Sequence, residues 1–204
     1  MKAVIQRVKS ASVTVDNQLV SSIGRGLLVL AGVGKGDDEK EADSLISRIM
    51  RCRLWPDNND KQWKKNVQDI EGEILCVSQF TLHAQLNKGK QPDFHEAADV
   101  ETARRLYDYF YQRLREAYKP ERVKNGVFQA MMDVELKNDG PVTIEVNTKL
   151  PKKEKAPNGN KQSEKKPEKS EQSEKSKSEG DSDKGGQTEG QKSYEFKLPA
   201  TLLE

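Results

Sequence analysis

The sequence is poor in the residues that staple or metallate small proteins. Two cysteines, Cys52 and Cys76, and two histidines, His83 and His95, are all that its 204 residues hold. Two thiols make no disulfide framework and read as reduced cysteines. No Cys/His spacing has the pattern of a structural zinc site, so no metal and no cofactor is expected. Long apolar runs are missing too: none reaches the roughly 20 residues that span a bilayer. Met1 to Lys9 carries Lys2, Arg7 and Lys9 where a signal peptide has its apolar region. These absences predict a soluble cytoplasmic protein with no membrane partner. A charge excess is also lacking, with 35 Lys+Arg against 33 Asp+Glu. Residues 1–150 and 151–204 each come out at +1. That balance argues against a domain built to neutralise a long stretch of nucleic-acid backbone, while leaving room for a small positive patch.

Hydrophobic residues make up 33% of the chain, which looks too polar for one evenly built domain. The average hides two populations. Of the apolar residues, 61 fall in residues 1–150 and 7 in the last 54, and between Pro151 and Lys192 only Ala156 is hydrophobic. A segment that cannot bury apolar surface cannot offset its ordering entropy. The expected organisation is therefore one folding domain, 1–150, and a disordered Lys/Glu/Ser-rich tail, 151–204. The tail's serines are candidate phosphorylation sites. Its end, 193–204, has Tyr194, Phe196, Leu198, Leu202 and Leu203, which could dock on an unknown partner, fold back, or simply be sticky.

Within the domain the N-terminus alternates. Ala3, Ile5 and Arg7 share one face of a strand, and Ala11, Val13 and Val15 repeat the pattern before the turn residues Asp16-Asn17 and a stretch Leu19 to Ile23. Leu27 to Val33 is an uninterrupted apolar run of the kind buried on both faces, and Ile74 to Phe80 is another. Between them Ala42, Leu45, Ile46, Ile49 and Met50 recur at helical spacing behind Asp37 and Asp38. A second helix is predicted over Glu96 to Tyr118, with Ala97, Val100, Ala103, Leu106, Tyr107, Phe110, Leu114 and Tyr118 on its apolar stripe, ended by Pro120. Val127 to Leu136 alternates, Asn138-Asp139-Gly140-Pro141 reads as a chain-reversing turn, and Val142, Ile144 and Val146 as a strand that pairs back. The predicted fold class is α+β: a mostly antiparallel sheet covered by two helices, without a βαβ repeat.

Two segments place polar or backbone-special residues where a strand would otherwise run on. Ser78-Gln79-Phe80-Thr81-Leu82 sets hydroxyls and an amide at the end of a buried strand, where side chains reach a cleft. Thr81 could act as a nucleophile, though no histidine or lysine adjoins it to take its proton. Ser78 and Thr81 could equally bond local backbone. In Gly140-Pro141 the glycine allows a backbone that other residues avoid and the proline admits a cis bond, although an ordinary tight turn would use the same pair.

Taken together, Ser78-Gln79-Phe80-Thr81-Leu82 and Asn138-Asp139-Gly140-Pro141-Val142-Thr143, about 60 residues apart, closely resemble the two signature motifs of the D-aminoacyl-tRNA deacylases. The likeness extends to Met1–Val8, to Lys88–His95 and to Phe128–Met132, and so covers essentially all of residues 1–150. It implies a hydrolase that cleaves the ester between a D-amino acid, or glycine, and the terminal adenosine of tRNA, as a chiral checkpoint for translation. It also implies a homodimer with active sites at the subunit interface. Gly140 and Pro141, joined by a cis bond and inserted into the partner's site, would form the wall that rejects L-side chains. Arg7 would hold that motif through bonds to backbone carbonyls. Ser78, Gln79, Phe80 and Thr81 would line the pocket for the aminoacyl group and adenosine.

Physical chemistry is consistent with that role. An aminoacyl ester is already activated and needs a positioned water and a stabilised oxyanion. Backbone N–H groups of Phe80 and Thr81 are candidate oxyanion donors, with the substrate's ribose 2′-hydroxyl helping to activate water; Thr81 as covalent nucleophile is the alternative. Gln129 departs from the resemblance, standing after Phe128 where relatives usually carry glycine. His83 follows the first motif and has either a catalytic or a supporting place, and His95 is expected to anchor its loop. A different class of function stays open: a nucleic-acid or replication-complex binding module working through the tail.

Overall fold

The two alternating stretches at the N-terminus run on as a single strand, β1 (Lys2–Val15). A computed structural model describes residues 1–86 and 89–149; the expectations for 151–204, and Lys88 of the third matching segment, lie outside the described residues. β1 changes phase at Lys9, an extra residue between the pairs Val8↔Asn138 and Ser10↔Lys137. Ala3 and Ile5 are therefore buried on one face, while Val8, Ala11 and Val13 are buried together on the other.

Two further strands share one edge of β1. β2 (Gln18–Ile23) returns as a hairpin on its C-terminal half, and β3 (Gly26–Gly32) pairs antiparallel with Lys2–Val8. Next come helix α1 (Glu39–Arg51), β4 (Glu73–Ser78), helix α2 (Val100–Ala117), β5 (Val123–Asn125) and β6 (Asp133–Asn147). The sheet order is β2-β1-β3-β4-β5, with β6 on the other edge of β1. The α+β class with one sheet and two helices is as expected, but the sheet is mixed. β3–β4 and β4–β5 are parallel, joined by crossovers through α1 and α2, so the expectation of no βαβ unit is corrected. The physical reason lies in Leu27–Val33 and Ile74–Val77. Strands apolar at every position are characteristic of the doubly covered centre of a parallel region.

A second correction concerns Asn138–Pro141, which does not reverse the chain. Both flanks pair antiparallel with β1, so β6 is one strand. Residues 139–142 bulge out opposite Arg7 alone, between the pairs Gln6↔Thr143 and Val8↔Asn138. The 14-residue β1 is long enough to template both flanks, which removes the need for a hairpin.

Local chemistry sets the helix starts. Asp38 caps α1, its carboxylate accepting from Lys40 N–H at 2.7 Å while Glu41 reaches back to Asp38 N–H at 3.2 Å. α2 begins at Val100 rather than Glu96 because Asp99 caps it, accepting from Thr102 N–H at 2.9 Å. Leu45, Ile49, Leu106, Phe110 and Leu114 then seal one face of the sheet over Ile5, Leu27, Val29 and Ile74. On the other face the β1–β2 hairpin folds across β4 and β5, closing Leu28, Leu75 and Val77 under Val13 and Ile23. Ser21 Oγ ties the hairpin to the Asn125 carbonyl at 2.8 Å, and Tyr107 Oη reaches Asn125 Oδ1 from the helical side at 2.7 Å.

Candidate active site

The parallel strands β3 and β4 end together, and their carboxyl ends open into a cleft, the usual place for a ligand in parallel sheet. β4 stops at Ser78, two residues short of the predicted Phe80: Gln79 N–H donates to Ala31 O at 2.8 Å, the last bond of the β3–β4 ladder, before the chain turns. Phe80–His83 then coils into a 3₁₀ turn, with Leu82 N–H donating to Gln79 O at 3.3 Å. The first N–H groups of such a turn have no partner within it, and those of Phe80 and Thr81 have no acceptor among the described residues.

Ser78, Gln79 and Phe80 line a cavity of about 520 Å³, within the size range of small-molecule sites. Its wall also includes Ala103 and Tyr107 of α2 and Phe128, Gln129 and Met132 before β6. Phe80, 57% exposed, also borders a second cleft and stacks on Phe94, ring centroids 5.1 Å apart. Thr81 is exposed, and its Oγ1 accepts from Gln79 Nε2 at 2.6 Å. Sequence reasoning placed Tyr107 on the core stripe and gave Phe94 no role; only the likeness at Lys88–His95 hinted at the latter.

The second motif lies elsewhere in the same protomer. The Gly140-Pro141 bond is cis, and both residues are exposed. The registers place them four residues along the strands and three strand spacings across from Ser78, roughly 20 Å away. One chain does not bring the two motifs together. Arg7 does sit with the second: its Nε donates to Asp139 O at 2.8 Å, its Nη1 donates to Leu54 O, and Asp139 Oδ2 lies 3.4 Å from Nε. Nothing in the sequence marked Leu54, which contributes only a carbonyl. Gly140, at φ +136°, has a backbone suited to glycine, and a Cβ there would lie 2.9 Å from Arg7 Nη2.

The titratable groups around the first motif are engaged in structure. His83 is buried, its Nε2 3.2 Å from Gly32 O, and its ring lies against the backbone of Gly32 and Gly34. Burial lowers its pKa, with Lys2 adding to the effect, while the hydrogen bond and Asp37 oppose it. Among the described residues no base is hydrogen-bonded to Thr81. Asp37, also buried, meets the Met1 ammonium at 2.9 Å, Lys149 Nζ at 3.0 Å and Gly34 N–H at 2.6 Å. Burial alone would raise its pKa, but these donors together hold it low. His95 is exposed, and both its backbone N–H and its Nδ1 contact Asp93, the loop-anchoring arrangement expected. Among the described residues no group of three or more His, Cys, Asp or Glu is placed to hold a metal. No described helix is long and apolar enough to cross a membrane.

These features define an α+β domain whose cleft is built from backbone donors and apolar walls rather than from an acid/base dyad. Residues 4–147 match the family described as D-Tyr-tRNA(Tyr) deacylase, and the chain belongs to that family. It is 52% identical over 151 residues to a D-aminoacyl-tRNA deacylase of Yarrowia lipolytica, covering 73% of this chain and 98% of that one. With D-aminoacyl-tRNA deacylase 1 of Homo sapiens it shares 48% identity, covering 74% and 72%. A solved structure of a protein named c-Myc DNA Unwinding Element Binding Protein superposes with a TM-score of 0.71 at 47% identity, over 74% of this chain and all of that one.

Proposed function

We infer that the protein hydrolyses the ester bond of D-aminoacyl-tRNA, releasing tRNA and a D-amino acid. The observation that carries this reading is the cleft at the end of β4. There the first N–H groups of the Phe80–His83 turn stand beside a cavity large enough for an aminoacyl group, in a chain of the deacylase family. Phe80 and Thr81 N–H stabilise the oxyanion that forms when water attacks the ester carbonyl. Ser78 and Gln79 position the substrate, and the ribose 2′-hydroxyl beside the ester assists the water. Thr81 Oγ1 is held by the Gln79 amide, which supports a positioning role over attack on the ester.

The working unit of this proposal is a homodimer. Gly140 and Pro141 are exposed and distant from the Ser78–Thr81 turn of their own chain, so they serve the site of a second copy. There a backbone wall against Cα excludes an L-side chain by overlap and admits D-amino acids and glycine. Arg7 fixes the wall's position. The tail-based alternative concerns 151–204, outside the described residues, and no described feature favours it.

The test is incubation with D-tyrosyl- and L-tyrosyl-tRNA. Release of tyrosine from the D-form at a rate at least a hundredfold above the L-form, about 2.7 kcal/mol of discrimination, is expected. Equal rates, or none, would overturn the assignment. Sedimentation of the same preparation as a monomer would overturn the shared site.

A further inference from the structure

Gln129 adopts φ +68°, left-handed backbone that is uncommon for a residue other than glycine, and its side chain is held. The holding group is Arg104 on α2, whose Nη2 donates to Gln129 Oε1 at 2.7 Å. Arg104 is fixed a second time by Phe128, its guanidinium carbon lying 4.5 Å from the ring centroid. Phe128 in turn packs on Tyr107 at 5.8 Å between centroids, and Tyr107 is anchored to Asn125. A chain of contacts therefore runs from the buried side of the sheet to an exposed cation.

Three features distinguish that cation. Phe128 and Gln129, the two residues that hold Arg104, line the 520 Å³ cavity, and Gln129 and Arg104 are both exposed, so Arg104 lies next to the cavity wall on its solvent side. Among the described residues no carboxylate lies within ion-pair distance of Arg104, whereas Arg105 and Arg113 on the same helix pair with Glu39, and with Asp43 and Glu116. Glu101 and Asp108 are a turn away in either direction, but the guanidinium is turned to the amide and the ring. Its remaining N–H donors form a flat fork suited to two phosphate oxygens.

We propose that Arg104, preset by Gln129 and Phe128, is a phosphate subsite that receives the phosphodiester next to the terminal adenosine of the tRNA acceptor strand. The proposal rests on the reading that the cavity takes the aminoacyl-adenosine end. With that end inside, the chain's last phosphodiester leaves on the solvent side. An unpaired, immobilised guanidinium there binds it at little further cost in side-chain ordering. Gln129 acts through Arg104 and is a positioning residue.

The experiment compares two substrates that differ in phosphate: D-tyrosyl-tRNA, and D-tyrosyl-adenosine, which has none. Arg104→Ala is expected to lower kcat/KM for the tRNA substrate roughly tenfold more than for the adenosine ester, mostly through KM, and to flatten the salt dependence by about one charge. Gln129→Gly, which suits the φ of that position, should show the same substrate difference to a smaller degree, and Arg104→Lys should restore part of it. Equal losses on both substrates, or an unchanged salt slope, would overturn the phosphate subsite while leaving the deacylase reading intact. Failure of the unmodified protein to hydrolyse either substrate would overturn both.

Discussion

Arg7 ties two segments that are distant in sequence, donating to the Asp139 carbonyl at 2.8 Å and to the Leu54 carbonyl, with its Nη2 in the space a Cβ at Gly140 would need. The guanidinium is largely buried, so its hydrogen bonds are made in a medium that rewards them. Arg7→Ala should destabilise the domain by about 2 kcal/mol, from the loss of charged bonds to carbonyls left facing apolar surroundings. Arg7→Lys keeps the charge but lacks the fork that spans both acceptors, and should recover less than half of that. Urea unfolding measures the stability. The same variants should lose D-over-L discrimination, because the 139–142 bulge then keeps its two flanks on β1 but loses the side-chain bond that fixes Asp139 between them. Full discrimination in a folded Arg7→Ala protein would separate Arg7 from the wall.

The hydroxyl of Thr81 makes the opposite prediction. It accepts from the Gln79 amide at 2.6 Å and among the described residues has no base hydrogen-bonded to it, whereas a hydroxyl nucleophile needs one. Thr81→Ala should therefore lower kcat by a small factor, on the order of fivefold or about 1 kcal/mol, since the backbone N–H groups remain. Single-turnover hydrolysis of D-tyrosyl-tRNA reads this directly. Abolished turnover in a folded variant would give the reaction to the hydroxyl.

His83 predicts a pH effect on stability. Its folded pKa is held below the ordinary histidine value, chiefly by burial, so between the folded and the ordinary value near 6.5 the unfolded chain binds the extra proton. Stability associated with the neutral ring is complete above that value and is lost as pH falls through it. Lys2 and the Met1 ammonium disfavour protonation and Asp37 favours it, which makes Asp37→Asn a useful control that should steepen the loss. Denaturation midpoints between pH 7.5 and 5.5 should fall in the unmodified protein and fall less in His83→Gln. Parallel curves would show that another group carries the slope.

Much of the fold was legible because burial leaves period in a sequence. Leu27–Val33, the stripe Ala42–Met50 and the stripe Ala97–Tyr118 each announced an element, and each is one. Pairing direction was less legible. The uninterrupted runs Leu27–Val33 and Ile74–Val77 mark strands covered on both faces, which suits a parallel region, but they do not name the neighbour, so the β3–β4 direction shows only with the crossover through α1. Asn138–Pro141 misled because a bulge and a hairpin call on the same turn residues, and only the length of β1 decides between them. In the site, Ser78–Thr81 was visible as polar residues ending an apolar strand. Arg104 was not, since an arginine on the solvent side of a helix carries no mark until the fold brings Phe128 and Gln129 beside it.

The two cysteines should differ in reactivity. Cys76 sits on β4 in the core, and burial pushes its thiol up to about 12, so almost no thiolate forms at neutral pH. Cys52, at the end of α1, is half-buried, and burial raises its pKa as well. An aromatic disulfide reagent at pH 8 should therefore modify Cys52 slowly, by local opening, and Cys76 only at the rate of global unfolding. Denaturant should bring the two rates together. Cys76→Ser would place a hydroxyl where a thiol packs as a small apolar group, and is expected to cost about 1–3 kcal/mol if the hydroxyl finds no partner. Cys76→Ala leaves only a small void and should cost less. Rapid labelling of Cys76 in the native protein would mean that β4, and with it the Ser78–Thr81 turn, opens far more readily than its position in the sheet predicts.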